Sequence, residues 1–516
     1  MALNAIELKL FSSRVSAICD EMGLVLRRAA FSPNIKDRLD FSCALFGPQG
    51  ELFAQAAHIP VHLGSMAYAM GSLVRERDWQ AGDMLMVNDP FLGGTHLPDV
   101  TLIAPAFDAK SRLLGFVANR AHHANIGCDT PGSMPLSERL DEEGVIIPPT
   151  WLYRGGRLAN DLPDLPDLTG AEPSGDFAAQ VGANRVGVRR LVELVENLGL
   201  QVYYSGMAEL HDYADRIMLA ALAEVRRGSY RFRDSMDSDG KGNHDILLAL
   251  ELRIDKDGAV LDLTGSADEV PGNLNCPESV VAAAAYYCFR CLLPPEAPAC
   301  AGLFRRIHLK TRPGSVVNAA RPAAVAAGNV ETSMRLVDLV FGALAQALPE
   351  RIPAASQGTM NNIAMGDNSS AGDRRWDYYE TLAGGTGAGP RLCGLDAVQS
   401  HMTNTLNTPI ESLEMHYPLR VRRYCLRRGS GGAGQQRGGD GLQREYEFLA
   451  PAQVTLLTER RRSQPWGLQG GAPGKSGCNW FNGEPLADKI SFKVRTGDRL
   501  SIATPGGGGW GAPDTG

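Results

Sequence analysis

The apolar positions of the chain change period along its length, and those changes outline its elements. Across residues 6–28, Leu10, Val15, Ile18, Met22, Val25 and Leu26 recur near helical spacing, which predicts an amphipathic first helix. Residues 40–46 and 51–55, joined by Gly-Pro-Gln-Gly, predict a hairpin with a four-residue turn. Strands are expected at 83–87 and 113–119, and the Pro- and Gly-rich stretch 129–167 reads as a long irregular connection. Residues 177–227 are expected to be mostly helical, with Val188, Leu191, Val192 and Val195 on one face. From Ser229 the pattern turns to strands, at 230–236, 245–254 and 259–264, followed by helices at 278–293 and 330–347. Strands at 421–427, 443–449, 453–457, 490–493 and 499–503 make the C-terminal third β-rich.

βαβ alternation is too sparse for a doubly wound fold, so the expected class is α+β: multidomain, with mixed, largely antiparallel sheets and packed helices. A chain of 516 residues is too long for one ordinary core. The divisions expected are an N-terminal α+β region at 1–175 holding the candidate metal site, a middle region of helices and strands at 176–350, and a β-rich region at 351–516. The 58 glycines cluster near Gly384, Gly431, Gly470 and Gly506, and are read as tight turns.

Charge narrows the partners. With 51 basic and 58 acidic residues the formal charge is −7, which argues against a nucleic-acid binder. No apolar run is long enough for a membrane span, and no secretory signal pattern is seen. The ten cysteines lack framework spacing, which fits reduced thiols and a cytoplasmic location. Cys288 and Cys291 have CxxC spacing but lie in an apolar helical run without a second pair, so they are read as buried helix residues.

The chemistry concentrates near the N-terminus. Of ten histidines, His58, His62, His96, His122 and His123 fall close together in sequence. His96 and Asp99 flank Leu97-Pro98, where a turn would bring both side chains to one side. If the strand before His122 continues, His122 and His123 point to opposite faces, so only one of them joins such a site. Asp40 opens its own strand and offers a second carboxylate. Imidazole with carboxylate suits a divalent zinc, manganese or iron ion. Spacing alone equally allows polar loop residues and N-caps. His58 and His62 flank Pro60, which disfavours a helical metal pair; with His123 they are candidate substrate-cavity residues.

Other segments are less informative. Residues 470–476 look like the end of a phosphate loop, but Gln469 stands where a glycine is needed, and a glycine-rich turn is the better reading. Gly506–Gly509 likewise reads as a turn, and Arg460-Arg461-Arg462 as a solvated edge.

The segments Leu39-Asp40-Phe41-Ser42, Asn88 to Asp99 and Asn119-Arg120-Ala121-His122 resemble the hydantoinase B family, which includes the C-terminal half of 5-oxoprolinases and a subunit of ketone carboxylases. The resemblance continues through Gly272 to Pro277, Gly328 to Ser333, Gln357 to Asn362, Tyr379-Glu380-Thr381, His401 to Thr405 and Pro505 to Gly511, and so covers essentially the whole chain in order. It implies a metal held by Asp40, His96, Asp99 and His122. It also implies a hetero-oligomer with a hydantoinase A-type ATPase subunit, which uses ATP to phosphorylate a small cyclic amide. The metal would lower the pKa of a bound water toward about 7, giving metal-bound hydroxide for ring opening. Asp89 and Glu380 are candidate general acid/base residues. The alternatives are a subunit of an ATP-dependent ketone carboxylase, or a non-catalytic scaffold with a structural metal. The chain departs from the family at Asn125, Cys128, Met334 and Leu406; Asn125 and Leu406 bear on any substrate contact made there.

Overall fold

A computed structural model describes residues 3–56, 58–367 and 375–513. The first helix, α1 (Ala5–Ala29), opens on a capping box between Asn4 and Glu7 and buries Phe11, Val15, Ile18, Met22 and Leu26. A short helix, α2 (Pro33–Lys36), leads into the first sheet. That sheet contains β1 (Phe41–Phe46), β2 (Leu52–Gln55), β3 (Met84–Val87), β4 (Asp99–Phe107), β5 (Leu113–His122), β6 (Thr150–Arg154) and β7 (Arg157–Leu158). Its order is β2-β1-β5-β4-β3-β6-β7, with every neighbouring pair antiparallel. Helix α3 (Pro60–Arg75) covers one face and begins with Pro60 at its first position, where a missing N–H costs nothing. On the other face, α4 (Gly175–Leu198) packs against β4, β5 and α1.

A second sheet joins β8 (Gly228–Ser238), β9 (His244–Ile254), β10 (Ala259–Asp262) and β11 (Ile307–Lys310) in the order β11-β10-β9-β8; only the β10–β11 pair is parallel. Helix α5 (Leu200–Ala223) precedes it, and α6 (Glu278–Arg290) and α7 (Ser333–Ala347) pack on each other, with α6 also against α3 and α7 against β8. A single π-helical turn, Gly328–Thr332, leads into α7. Such turns displace side chains from the α-helical register and recur at functional sites.

The C-terminal third holds two antiparallel sheets. One has β12 (Asn362–Asp367), β13 (Trp376–Thr381), β16 (Ala452–Leu457) and β19 (Lys489–Val494), ordered β13-β12-β16-β19. The other has β14 (Leu419–Arg427), β15 (Gly441–Phe448), β17 (Cys478–Phe481), β18 (Glu484–Leu486) and β20 (Arg499–Ala503), ordered β14-β15-β20-β17-β18. Between β13 and β14 lies α8 (Ile410–His416). One hydrophobic core runs from α1 through α7 to Ala364, Tyr379 and Leu457 of the C-terminal half, a second fills the rest of the C-terminal sheets, and a third lies between α3 and the first sheet. No helix among the described residues is long and apolar enough to cross a membrane.

Four expectations change. The helical region is two helices, broken where Gly199 adopts a φ of 78°. The 129–167 connection contains β6 and β7, which extend the first sheet. Arg460 is fully buried, bridging Asp234 at 2.7 Å and Asp338 at 3.2 Å, so it is not a solvated edge residue. The glycine clusters do more than turn. Residues 505–509 form neither turn nor strand and are buried, and their backbone bonds to neighbouring glycine-rich segments: Gly432 N–H to Gly507 O, Gly507 N–H to Gly439 O and Gly509 N–H to Ala472 O, each 2.9 Å. The segment after Gly471 leads into β17 and not into a helix, which removes the phosphate-loop reading.

Close backbone approach explains why glycine is needed: a methyl group on Gly507 would overlap the Thr386 carbonyl. Gly507→Ala is therefore expected to destabilise the protein by about 2–3 kcal/mol in denaturant unfolding. Gly182→Ala, on α4 with open space beside it, is the control, and should be neutral or stabilising. Equal effects of the two substitutions would refute this packing account.

Candidate metal centre

Antiparallel pairing of β4 with β5 sets the centre, because its register places Asp99 directly opposite His122. The stretch before β4 is a compact loop in which the Asn88 side chain donates to Leu97 O at 2.8 Å and accepts from Ile147 N–H at 2.6 Å. This loop delivers His96 three residues before the strand. His96, Asp99 and His122 each offer a ligand atom within 4.8 Å of the others, and all three residues are buried.

Asp99 is the hub. Its Oδ2 accepts from the Thr95 hydroxyl at 2.5 Å and the Asn329 amide at 3.4 Å, and lies 3.1 Å from His62 Nε2. Its Oδ1 lies 3.2 Å from His96 Nε2 and 3.3 Å from His122 Nδ1. Burial would raise its pKa, but the surrounding imidazoles, His62 and His96 foremost, outweigh burial and hold the carboxyl well below its ordinary range. The two flanking imidazoles diverge. Burial depresses His96, yet Asp99 more than offsets this and keeps it above its ordinary value; at His122 burial prevails and the value falls.

The donor set fits a cation. His96 Nδ1 donates to Ala326 O at 3.3 Å, so its Nε2 presents a lone pair. That lone pair faces the carboxylate Oδ1 at 3.2 Å, an arrangement that a proton or metal ion must bridge. His96 Nε2, Asp99 Oδ1 and His122 Nε2 are all buried without a hydrogen-bond partner. Behind His96, Glu143 accepts from the Val325 and Ala326 N–H groups at 2.8 and 2.9 Å, fixing the carbonyl that orients the ring; burial pushes its carboxyl up to about 7.

Asp40 lines the same small cavity but stands outside the group of three, with its carboxylate 3.5 Å from Arg38 and 3.9 Å from His62. It follows Leu39, whose φ of 58° turns the chain sharply into β1. His62, on the first turn of α3, reaches the centre itself, and its Nδ1 meets the Ser42 hydroxyl at 3.4 Å. The cavity is about 20 Å³, closed by Ile59, Val330, Met360, Met402 and a polar rim of Asn329, Tyr379, Thr381, Thr403 and Thr405.

Several candidates lie elsewhere. His123 points to the opposite face from His122, its Nε2 2.9 Å from Gln180 Oε1 and its ring against Phe177, so it does not face the cavity. His58 accepts the Cys43 N–H at 3.1 Å and borders a different cleft of about 560 Å³; burial holds it down at about 4. Asp89 is buried against Arg321 and accepts the Phe91 N–H at 3.0 Å. Glu380 is on the reverse face of β13, held by Arg444 at 2.6 Å, the Thr408 N–H at 2.6 Å and the Tyr378 hydroxyl. Neither carboxylate lines the cavity.

Strand alternation instead turns the residues beside Glu380 inward. Tyr379 stacks on His122 with centroids 4.7 Å apart and planes within 9°, and Arg38 lies 4.9 Å from the Tyr379 ring. Asn329, on the π-helical turn, and the threonines of 381, 403 and 405 also escaped the reading by residue type, since none is a strong ligand or base. Asn125 and Leu406 are both exposed, so those departures do not reshape the cavity. Cys128 is buried, its Sγ against Glu142 O at 3.3 Å, and Met334 is buried in α7.

The family model described as Hydantoinase B/oxoprolinase matches residues 4–513. The chain is 40% identical over 549 residues to 5-oxoprolinase 1 of Arabidopsis thaliana, covering 99% of this chain and 42% of that protein. It is 29% identical over 540 residues to a putative D-/L-hydantoinase subunit of a Pseudomonas strain, covering 99% of this chain and 90% of the relative. Among solved structures, an ATP-dependent caprolactamase from Pseudomonas jessenii superposes with a TM-score of 0.89 at 28% identity, over 99% of this chain and 92% of that one. The chain thus spans less than half of the plant oxoprolinase but nearly all of the hydantoinase relative. It belongs to the hydantoinase B/oxoprolinase family.

Proposed function

We propose that the chain is the metal-dependent part of a cyclic-amide hydrolase of the hydantoinase/5-oxoprolinase type. Its substrate would be activated by phosphorylation on an A-type ATPase subunit in a hetero-oligomer. The observation that carries this reading is the buried group of His96, Asp99 and His122, whose ligand atoms lie within 4.8 Å of one another, with His96 and His122 lining one small cavity. The names of the relatives support the substrate class: oxoproline, hydantoin and caprolactam are all ring amides. The ten cysteines are free, which supports a reducing, cytoplasmic setting.

His96, Asp99 and His122 would hold a divalent ion, with Asp40 as the further carboxylate. Such an ion, when bound, supplies Lewis acidity and acidifies a coordinated water. The chain's own residues do the rest. His62 and Thr95 occupy Asp99 Oδ2, and Oδ1 is turned toward His96 and His122. Asp89 and Glu380 are committed elsewhere, so proton transfer falls to His62, whose Nε2 lies between Asp99 and Asp40. The apolar walls exclude bulk water, and the cavity's size means that a ring substrate enters only when they open.

The purified chain is expected to bind about one equivalent of zinc, manganese or iron(II) per protomer. Asp99→Ala and His122→Ala should lose this metal, and the exposed His416→Ala should keep it, as read by elemental analysis after dialysis. Retention by both site variants would move the metal elsewhere.

With its ATPase partner, the chain should open 5-oxoproline or hydantoin only in the presence of ATP. Asp99→Ala should lower kcat by more than about a hundredfold, the upper end of losses seen when only a supporting residue is removed. A folded Asp99→Ala complex with full activity would refute a catalytic metal and favour a structural one.

A further inference from the structure

Across the cavity from the metal centre, three threonine hydroxyls form a chain. Thr381 Oγ1 is 3.1 Å from Thr405 Oγ1, which is 3.3 Å from Thr403 Oγ1. Thr381 Oγ1 accepts from Arg38 Nη2 and Gln399 Nε2, both at 3.3 Å. The Gln399 orientation is fixed because the same nitrogen donates to the Thr381 carbonyl at 3.2 Å. With both lone pairs of Thr381 taken, its proton goes to Thr405. Three hydroxyl protons then serve two links, so one proton, on Thr403 or Thr405, has no acceptor among the described residues.

A complementary gap lies on the π-helical turn. Asn329 directs its amide N–H to the Asp99 carboxylate, which can only accept, so the side-chain oxygen faces the other way. That Oδ1 is buried without a hydrogen-bond partner. Asn329, Thr403 and Thr405 are 3%, 4% and 5% exposed and all line the metal cavity. A buried donor and a buried acceptor left unpaired are each costly, and a ligand that satisfies both gains accordingly.

We infer that the Thr403/Thr405 hydroxyl and Asn329 Oδ1 form the recognition pair for a secondary amide, the hydroxyl donating to the substrate oxygen and Asn329 accepting from the ring N–H. The inference rests on the proposed function and assigns substrate contacts within it, in the opened cavity that a ring requires. It selects ring amides over esters and ketones of the same shape. In a phosphorylated substrate the oxygen keeps its acceptor role, and Asn329 favours the N-protonated ring, whose carbon is the more electrophilic. Solvent supplies one proton to the ring nitrogen; one water then adds to carbon and the C–N bond breaks, giving the free amine and an acyl phosphate, and a second water breaks the acyl C–O bond to leave the carboxylate and release phosphate.

The test uses the metal-loaded chain with 2-pyrrolidinone and cyclopentanone, which differ by N–H against CH₂, with binding read by ligand-observed NMR. Wild type should bind 2-pyrrolidinone at least about tenfold more tightly than cyclopentanone, the scale of one unpaired buried polar group. The double variant Thr403→Val/Thr405→Val should lose about tenfold in 2-pyrrolidinone affinity. Thr403→Ser/Thr405→Ser, which keeps the hydroxyls, should retain it and so separates donor loss from misfolding. Equal binding of the two ligands by wild type, unchanged affinity in the valine variant, or no binding of 2-pyrrolidinone would overturn the inference. Metal content measured on the same samples separates the two failures. A wild-type chain without metal refutes the reading of the site and this inference with it. A metal-loaded chain with unaltered affinities refutes the recognition pair alone.

Discussion

A carboxylate removed from water must be compensated, and Asp99, with no exposed surface, is the group around which this molecule arranges that compensation. Three imidazoles, a threonine hydroxyl and an asparagine amide converge on its two oxygens, from a loop, a strand, a helix start and a π-helical turn. The desolvation of such an ion costs several kcal/mol, so the shell cannot be loosened one residue at a time without leaving charge unpaired. The fold accordingly fixes each contributor by backbone: β4–β5 register for His122, Pro60 at the start of α3 for His62, and the Ala326 carbonyl for His96.

The wall opposite depends on a second buried network. Arg335 and Lys489 both bind Glu459, at 3.0 and 2.5 Å, while Arg460 joins Asp234 to Asp338. These ion pairs tie α7, β8 and β19 to the 459–460 segment. Nearby, Glu331 accepts from the Met360 N–H at 3.0 Å and the Asn362 amide at 2.6 Å. The π-helical turn bearing Asn329 is thereby anchored to the C-terminal sheet that bears Tyr379 and Thr381. The site is a seam between the two halves, which explains why its residues are scattered from Asp40 to Thr405.

Much of this was legible in the chain. Helical periodicity marked α1, alternation marked most strands, and the parity argument correctly separated His122 from His123, which face opposite sides of β5. The strand at β4 was missed, and β12 and β13 went unassigned. The segments bearing Asn329, Tyr379, Thr381, Thr403 and Thr405 stood out by resemblance, but which side chain faces inward depends on pairing that no local pattern supplies. Glu380 illustrates the limit: its type suggests acid/base chemistry, while its strand register turns it toward Arg444. The glycine clusters were read only in part: Gly470 does lie in a turn, with a φ of 90°, whereas Gly507 answers close backbone approach, and only tertiary structure tells the two needs apart.

The central claim concerns the identity of the atoms around one ion, and X-ray absorption spectroscopy of the metal-loaded chain addresses it directly. The account predicts a first shell of nitrogen and oxygen only, at about 2.0–2.2 Å for zinc, with multiple-scattering features from two imidazoles. A sulfur shell at about 2.3 Å, or a spectrum without imidazole scattering, would contradict it.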